Sequence, residues 1–212
     1  MPLVVSTVHS KGGVGKSCIA IHVARDLQLR GLDVAILDTD KQSTASNWQA
    51  SGDSDELPAV YSVEKPGALE NNIKQLDDAF DIVVIDGGAH LQKMHASIIK
   101  TSDLALIPVQ PAPADIWPLK SIVEMVKTRQ ELTGRPNAAF VVSRRKARTR
   151  LSRVVEDTLS SFELPVLEGT CDRVVYAEAI GSGTSVLESD DEKAAEEVRD
   201  ITDYVIQTLR DE

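Results

Sequence analysis

An apolar run from Leu3 to Val8 leads directly into the octapeptide Ser10-Lys11-Gly12-Gly13-Val14-Gly15-Lys16-Ser17, and a helical pattern of apolar residues follows it. A strand that becomes a helix through a turn this rich in glycine leaves few architectures open. The glycines let the backbone wrap closely, and the next helix offers unpaired N–H groups and the positive end of its dipole to the turn. This arrangement is a phosphate cradle. Lys16 is placed to reach β- and γ-phosphates, and the Ser17 hydroxyl to ligate Mg²⁺. The chain is therefore expected to bind a nucleoside triphosphate, with Lys11, Gly12, Gly13, Val14, Gly15, Lys16, Ser17 and Cys18 around it. The loop departs from G-x-x-x-x-G-K-[ST] at its first glycine position, which is Ser10, and it carries a second lysine, Lys11.

Short apolar runs then alternate with helical patterns, the signature of βαβ units around a parallel sheet. Strands are predicted at Leu3–Val8, Val34–Leu37, Ala59–Val63, Ile82–Ile85, Leu104–Ile107 and Ala138–Val142. A helix from about Lys16 to Arg30 places Ile19, Ala20, Val23, Ala24 and Leu27 on one face and stops at Gly31. Leu69, Ile73 and Leu76 mark a second helix, and Ile116, Leu119, Ile122, Val123 and Val126 a third. Ala194, Val198, Ile201, Val205 and Leu209 form the stripe of a C-terminal helix, with packing on its own domain as the default. Prolines in Pro108–Pro113 predict a stiff loop, and Ser51–Glu56 a polar insertion. At 212 residues, 42% of them hydrophobic, the chain is read as one α/β domain over residues 1–212. Its central sheet is mostly parallel and has helices on both faces.

Three carboxylates fall at or just beyond strand ends, the edge where open α/β sheets bind ligands. Asp86 closes Asp81-Ile82-Val83-Val84-Ile85 and precedes Gly87-Gly88, so it is the candidate for holding Mg²⁺, directly or through water. Asp38 and Asp40 follow the second strand. Cys18 and Cys171 have neither metal-ligand spacing nor a disulfide framework, and Cys18 also reads as a small buried thiol. The four histidines show no ligand spacing. Trp48 and Trp117 read equally as core residues or as interface anchors.

The segment K-G-G-V-G-K-S resembles the deviant Walker A loop of the ParA/MinD family of ATPases, and is most similar to the small, ParF-like plasmid-partition ParA type. The resemblance extends over almost the whole chain. Asp38-Thr39-Asp40-Lys41-Gln42 resembles the family's switch segment D-x-D-P-Q, with Lys41 in place of proline. Pro108–Pro113, Ser143-Arg144-Arg145-Lys146 and Arg173–Val186 match further family segments. The resemblance implies a single-domain P-loop NTPase using ATP and Mg²⁺, with Lys11, Lys16 and Asp40 as catalytic groups. Lys11 would cross a dimer interface to the partner's phosphates, and Asp40 would position the attacking water. Ser17, Asp38 and Asp86 would serve the metal, and Arg144 would lie beside the adenine. It also implies an ATP-bound homodimer, non-specific DNA binding, and a ParB- or ParG-like centromere-binding adaptor that stimulates hydrolysis to drive plasmid or chromosome segregation. The same engine positioning a protein cargo, such as a carboxysome or a chemoreceptor array, is the alternative, and a metabolic P-loop ligase or kinase a third reading.

The net charge of −10 excludes a protein that coats nucleic acid over its whole surface. DNA contact would have to come from a local patch, and Arg144, Arg145, Lys146, Arg148, Arg150 and Arg153 form the one basic cluster, which reads equally as a solvated loop. No stretch approaches the roughly 18 apolar residues of a membrane span, and no signal-peptide pattern opens the chain. The expected location is cytoplasmic, on the nucleoid when ATP is bound, with no membrane partner.

Overall fold

The computed structural model describes residues 1–89, 92–112, 116–146, 155 and 157–210. Seven parallel strands form one sheet: β1 (Leu3–Thr7), β2 (Val34–Asp38), β3 (Ala59–Ser62), β4 (Ile82–Asp86), β5 (Leu104–Val109), β6 (Asn137–Val142) and β7 (Val166–Leu167). Their order across the sheet is β3-β2-β4-β1-β5-β6-β7. Every residue of β2, β4 and β5 is buried, because helices cover both faces. Strands of this kind read as continuous Val/Ile/Leu runs rather than alternating ones.

One face carries α1 (Lys16–Leu29), α2 (Thr44–Ser51) and α7 (Glu192–Arg210), which enclose a core of Ile19, Leu27, Trp48, Ile201 and Val205 against Val5, Ile36 and Val84. The other face carries α3 (Leu69–Gln75), α4 (Gln92–Thr101) and α5 (Leu119–Thr133), whose Leu69, Ile98 and Ile122 pack on Val4, Val83 and Ile107. Helix α6 (Val174–Gly181) adds Tyr176 and Ala179 to a smaller cluster with Ala194 and Val198 of α7. The C-terminal stripe thus packs on its own chain. Burying Ile201, Val205 and Leu209 there stabilises by about 1.5–3 kcal/mol each. No helix among the described residues is long and apolar enough to cross a membrane.

Helix α1 ends where the sequence indicates. Gly31 adopts φ +91°, its N–H donates to Gln28 O, and the Leu32 N–H reaches back to Leu27 O. Three predicted features differ. Pro108 lies within β5, in register with Val141 of β6. It is tolerated because β1 pairs with β5 only as far as Leu106. Two residues on from Leu106, Pro108 turns its missing N–H to the side that β1 has already left. The polar insertion shrinks to residues 52–56, since Ser51 is the last residue of α2. Finally β7, α2, α4 and α6 add elements that periodicity left unassigned.

Helix α2 is docked by its backbone. A Cβ at Gly52 would stand 2.2 Å from Gly183 O, and one at Gly183 2.1 Å from Gly52 N. Beside this contact Trp48, 1% exposed, donates its indole N–H to Thr184 O at 2.8 Å. Trp48 is therefore a core residue, whereas Trp117 is 79% exposed.

Candidate functional site

The loop between β1 and α1 is held from outside by side chains that bond its carbonyls. Gln110, just past β5, donates to Gly13 O at 2.6 Å, the Ser143 hydroxyl donates to Val14 O, and Lys16 Nζ donates to Lys11 O at 2.8 Å. His9 accepts the Lys11 N–H on Nδ1 at 2.9 Å. Gly13 and Gly15 adopt φ +76° and +100°, and a Cβ at Gly15 would press within 3.2 Å of Ser143. Gly15 is the N-cap of α1, and no side chain caps that helix. An uncapped helix N-terminus at a glycine turn is an anion site.

The acidic groups converge on one rung of the sheet. Asp38 of β2 and Thr7 of β1 are both in register with Asp86 of β4, so the two carboxylates stand on neighbouring strands at the loop's level. Asp38 is committed to structure: Oδ1 accepts the Asp40 N–H at 3.0 Å, and Oδ2 accepts the Ser46 N–H at 3.1 Å and its hydroxyl at 3.0 Å. These bonds make Asp38 a brace of the switch turn, one strand away from Asp86. Asp40 lies in the turn itself, where its Oδ1 accepts the Gln42 N–H and its carbonyl the Ser43 N–H. Gly88 pins that turn to the end of β4. Its N–H donates to Thr39 Oγ1 at 2.9 Å, and a Cβ there would meet Thr39 O at 2.7 Å.

Asp86 is fully buried, and neither carboxylate oxygen meets a donor at hydrogen-bond geometry. Burial pushes its carboxyl up to about 7, with Asp38 and Asp40 adding repulsion; the nearby Ser17 hydroxyl and Lys16 oppose the rise. Burial also lowers Lys16, against the pull of Asp86 and Asp40. His9 is held down to about 4 by burial and by Lys16, so it is neutral as it supports the loop.

A cavity of about 610 Å³ opens between the glycine loop and the switch turn. Gly12, Gly13, Gly15, Lys16, Ser17 and Cys18 line one side, Asp40 and Lys41 the other, and Arg144 one end. Val14 is buried beneath the loop, and Lys11 is outside the lining although Lys16 is within it. A second cavity of about 590 Å³ shares Gly15, Cys18 and Arg144 and continues to Thr170, Arg173 and Tyr176. The Cys18 thiol, between the two, is pushed up to about 12 by burial and stays protonated.

Of the basic cluster, Arg144, Arg145 and Lys146 lie among the described residues. Arg145 pairs with Glu168 at 2.7 Å, and Lys146 lies 3.7 Å from Asp172, so these two charges are compensated within the chain. Arg148, Arg150 and Arg153 lie outside the described residues, as does Pro113 of the proline segment. Sequence reasoning missed the loop braces Gln110, Ser143 and His9. Gln110 lies inside the proline segment, and that placement was the available signal.

The residues present fit a phosphate chain with a divalent cation. An orphaned buried carboxylate faces the first helical hydroxyl, Ser17, beside a lysine at an uncapped helix start. Among the described residues no three carboxylate, histidine or cysteine groups gather into a metal site of their own. A cation held by Ser17, Asp86, water and phosphate oxygens needs no such cluster.

Comparison with known proteins agrees with this geometry. The Maintenance of carboxysome distribution protein A of Halothiobacillus neapolitanus is 28% identical over 209 residues, 95% of each chain. Protein ParA of Rhizobium radiobacter is 30% identical over 142 residues, 67% of this chain and 64% of that one. A Cyanothece McdA structure solved as an ATP complex superposes with a TM-score of 0.77 at 16% identity, covering 98% of this chain and 96% of its own. That likeness is one of fold. The model of the CobQ/CobB/MinD/ParA nucleotide binding domain matches residues 5–186, most of the chain including the whole cavity wall, and the protein belongs to that family.

Proposed function

We propose that the protein is a ParA-type ATPase whose self-association is switched by ATP and reset by hydrolysis. The observation that carries this reading is the placement of the two loop lysines: Lys16 lines the cavity together with Asp40, whereas Lys11 is not part of its lining. Lys16 leaves the Lys11 carbonyl to neutralise the phosphates, helped by the N–H groups at the start of α1. Mg²⁺, when bound, neutralises further phosphate charge, and Ser17 and Asp86 would hold it. Asp40 has one oxygen occupied by the Gln42 N–H, which fixes its carboxylate and leaves the other oxygen to orient water. Lys11 serves the nucleotide of a second copy, so the ATP-bound state is a face-to-face homodimer. Arg144, at the junction of the two cavities, lies beside the base.

The dimer binds DNA without sequence preference, and an adaptor of the centromere-binding kind triggers hydrolysis and release, moving a plasmid or chromosome. The phosphate contacts come from the basic segment of Arg145, Lys146, Arg148, Arg150 and Arg153, with Arg145 and Lys146 exchanging their surface partners for phosphate. Two copies side by side double the patch, which reconciles duplex binding with a net charge of −10. The relative matched along 95% of both chains supports a second reading, the same engine distributing a protein cargo. Plasmid retention in dividing cells separates the two.

The test is light scattering with ADP and with a non-hydrolysable ATP analogue, each with and without plasmid DNA. Doubling of mass with the analogue alone, and DNA binding only in that state, is the expected result. A wild-type protein that binds the analogue and stays monomeric would overturn the switch.

A further inference from the structure

Lys41 is the residue of the switch turn that no function above uses. It lines the same cavity as Lys16, from the opposite wall, beside Asp40. The turn is fixed without a proline, because Asp40 N–H bonds to Asp38 Oδ1 and the Gln42 and Ser43 N–H groups bond back to Asp40. The lysine stem therefore starts from a defined point while its exposed ammonium stays free to swing. Among the described residues no carboxylate forms an ion pair with that ammonium. Asp40 is, among the described residues, the one acidic side chain in a lining that holds Lys16, Lys41 and Arg144, in a chain with ten excess negative charges.

These cations are not equivalent. Lys16 sits at the helix start, where any phosphate chain enters, and Arg144 sits at the far end, next to the second cavity. Lys41 stands on the wall that carries the water-orienting carboxylate, the place a nucleotide reaches only with its last phosphate. On the reading of the cavity as an ATP site, we propose that Lys41 is a specificity-determining cation. It contacts the terminal phosphate from the nucleotide's own subunit and makes the site prefer triphosphate to diphosphate before any partner arrives. Its role is charge recognition rather than stiffening of the turn.

Calorimetric titration of Mg²⁺-ADP and of a Mg²⁺-loaded non-hydrolysable ATP analogue into wild type, Lys41→Gln, Lys41→Arg and Lys41→Pro tests this. Lys41→Gln weakens the analogue about fivefold and ADP by less than about twofold, the size of one solvent-exposed charge contact. Lys41→Arg keeps the preference, Lys41→Pro loses it as Lys41→Gln does, and high salt erodes it in wild type but not in Lys41→Gln. Equal weakening of both nucleotides, no weakening, or a Lys41→Pro variant that discriminates like wild type each overturns the assignment. A wild type that binds neither nucleotide refutes the ATP site itself. A null Lys41→Gln result with normal wild-type binding refutes the role of Lys41 alone.

Discussion

Replacing Asp86 with asparagine should make the empty protein more stable while removing its response to Mg²⁺-nucleotide. The carboxyl is fully buried, with the Ser17 hydroxyl near it but no donor at hydrogen-bond geometry, and its pKa rises from the ordinary 3.8 to about 7. Below about pH 4 both the folded and unfolded forms hold the proton, and the group contributes nothing to pH dependence. Between about pH 4 and 7 the folded form binds more protons, so stability falls as pH rises. Above about 7 the full cost persists. At about 1.4 kcal/mol per pH unit between the two values, that cost is about 4 kcal/mol. An asparagine amide left unpartnered in the same place gives back about 1–3 kcal/mol. The net expectation is therefore a gain of about 2 kcal/mol at about pH 8, with a flatter pH profile than wild type. Urea unfolding followed by circular dichroism at about pH 4, 6 and 8, with and without Mg²⁺-ADP, measures both halves. An asparagine variant no more stable than wild type at about pH 8 would show that Asp86 finds a partner in solution, and the case for an ion there would fall with it.

His22 changes stability in the opposite direction. It is buried against Tyr176, bonded to the Ser185 hydroxyl at 3.0 Å, and held down to about 3 by burial. The unfolded chain takes up a proton below about 6.5 and the folded one does not, so this group costs about 2 kcal/mol by pH 5. His22→Gln should unfold with a visibly weaker pH dependence between about pH 7 and 5 in the same urea titration, and parallel profiles would refute the assignment. Gly88→Ala places a methyl group 2.7 Å from Thr39 O and 3.1 Å from Asp40 Cα. It should displace the switch turn and abolish analogue-dependent dimer formation in light scattering while ADP still binds, and an unaffected dimer would show that the turn is not held from this side.

What was legible in the sequence was whatever is encoded locally. The apolar run into a glycine octapeptide specifies β1, its turn and α1 because each part constrains only its neighbours. Asp86 was recognisable because four β-formers precede it and two glycines follow. The braces of the loop were not legible, since Gln110 and Ser143 meet Gly13 and Val14 across 97 and 129 residues. Helix α2 was missed because its buried residues are only Ala45 and Trp48, too few for a periodic stripe. The strand β7 is two residues long and has no pattern to read. Pro108 was assigned to a loop by a sound rule whose exception depends on where β1 stops pairing. The placement of Lys16 inside the cavity and Lys11 outside it could come only from the folded loop.

The bare contact between Gly52 and Gly183 has a consequence for how this protein can change over generations. With no side chain between the two backbones, neither position accepts even a methyl group unless the other segment retreats, and the Trp48 bond to Thr184 opposes that retreat. The two glycines are thus bound to a common fate. Descendants should either retain both or relinquish both together with the tryptophan, and a lineage that drifts at one site alone should bear a loosened α2.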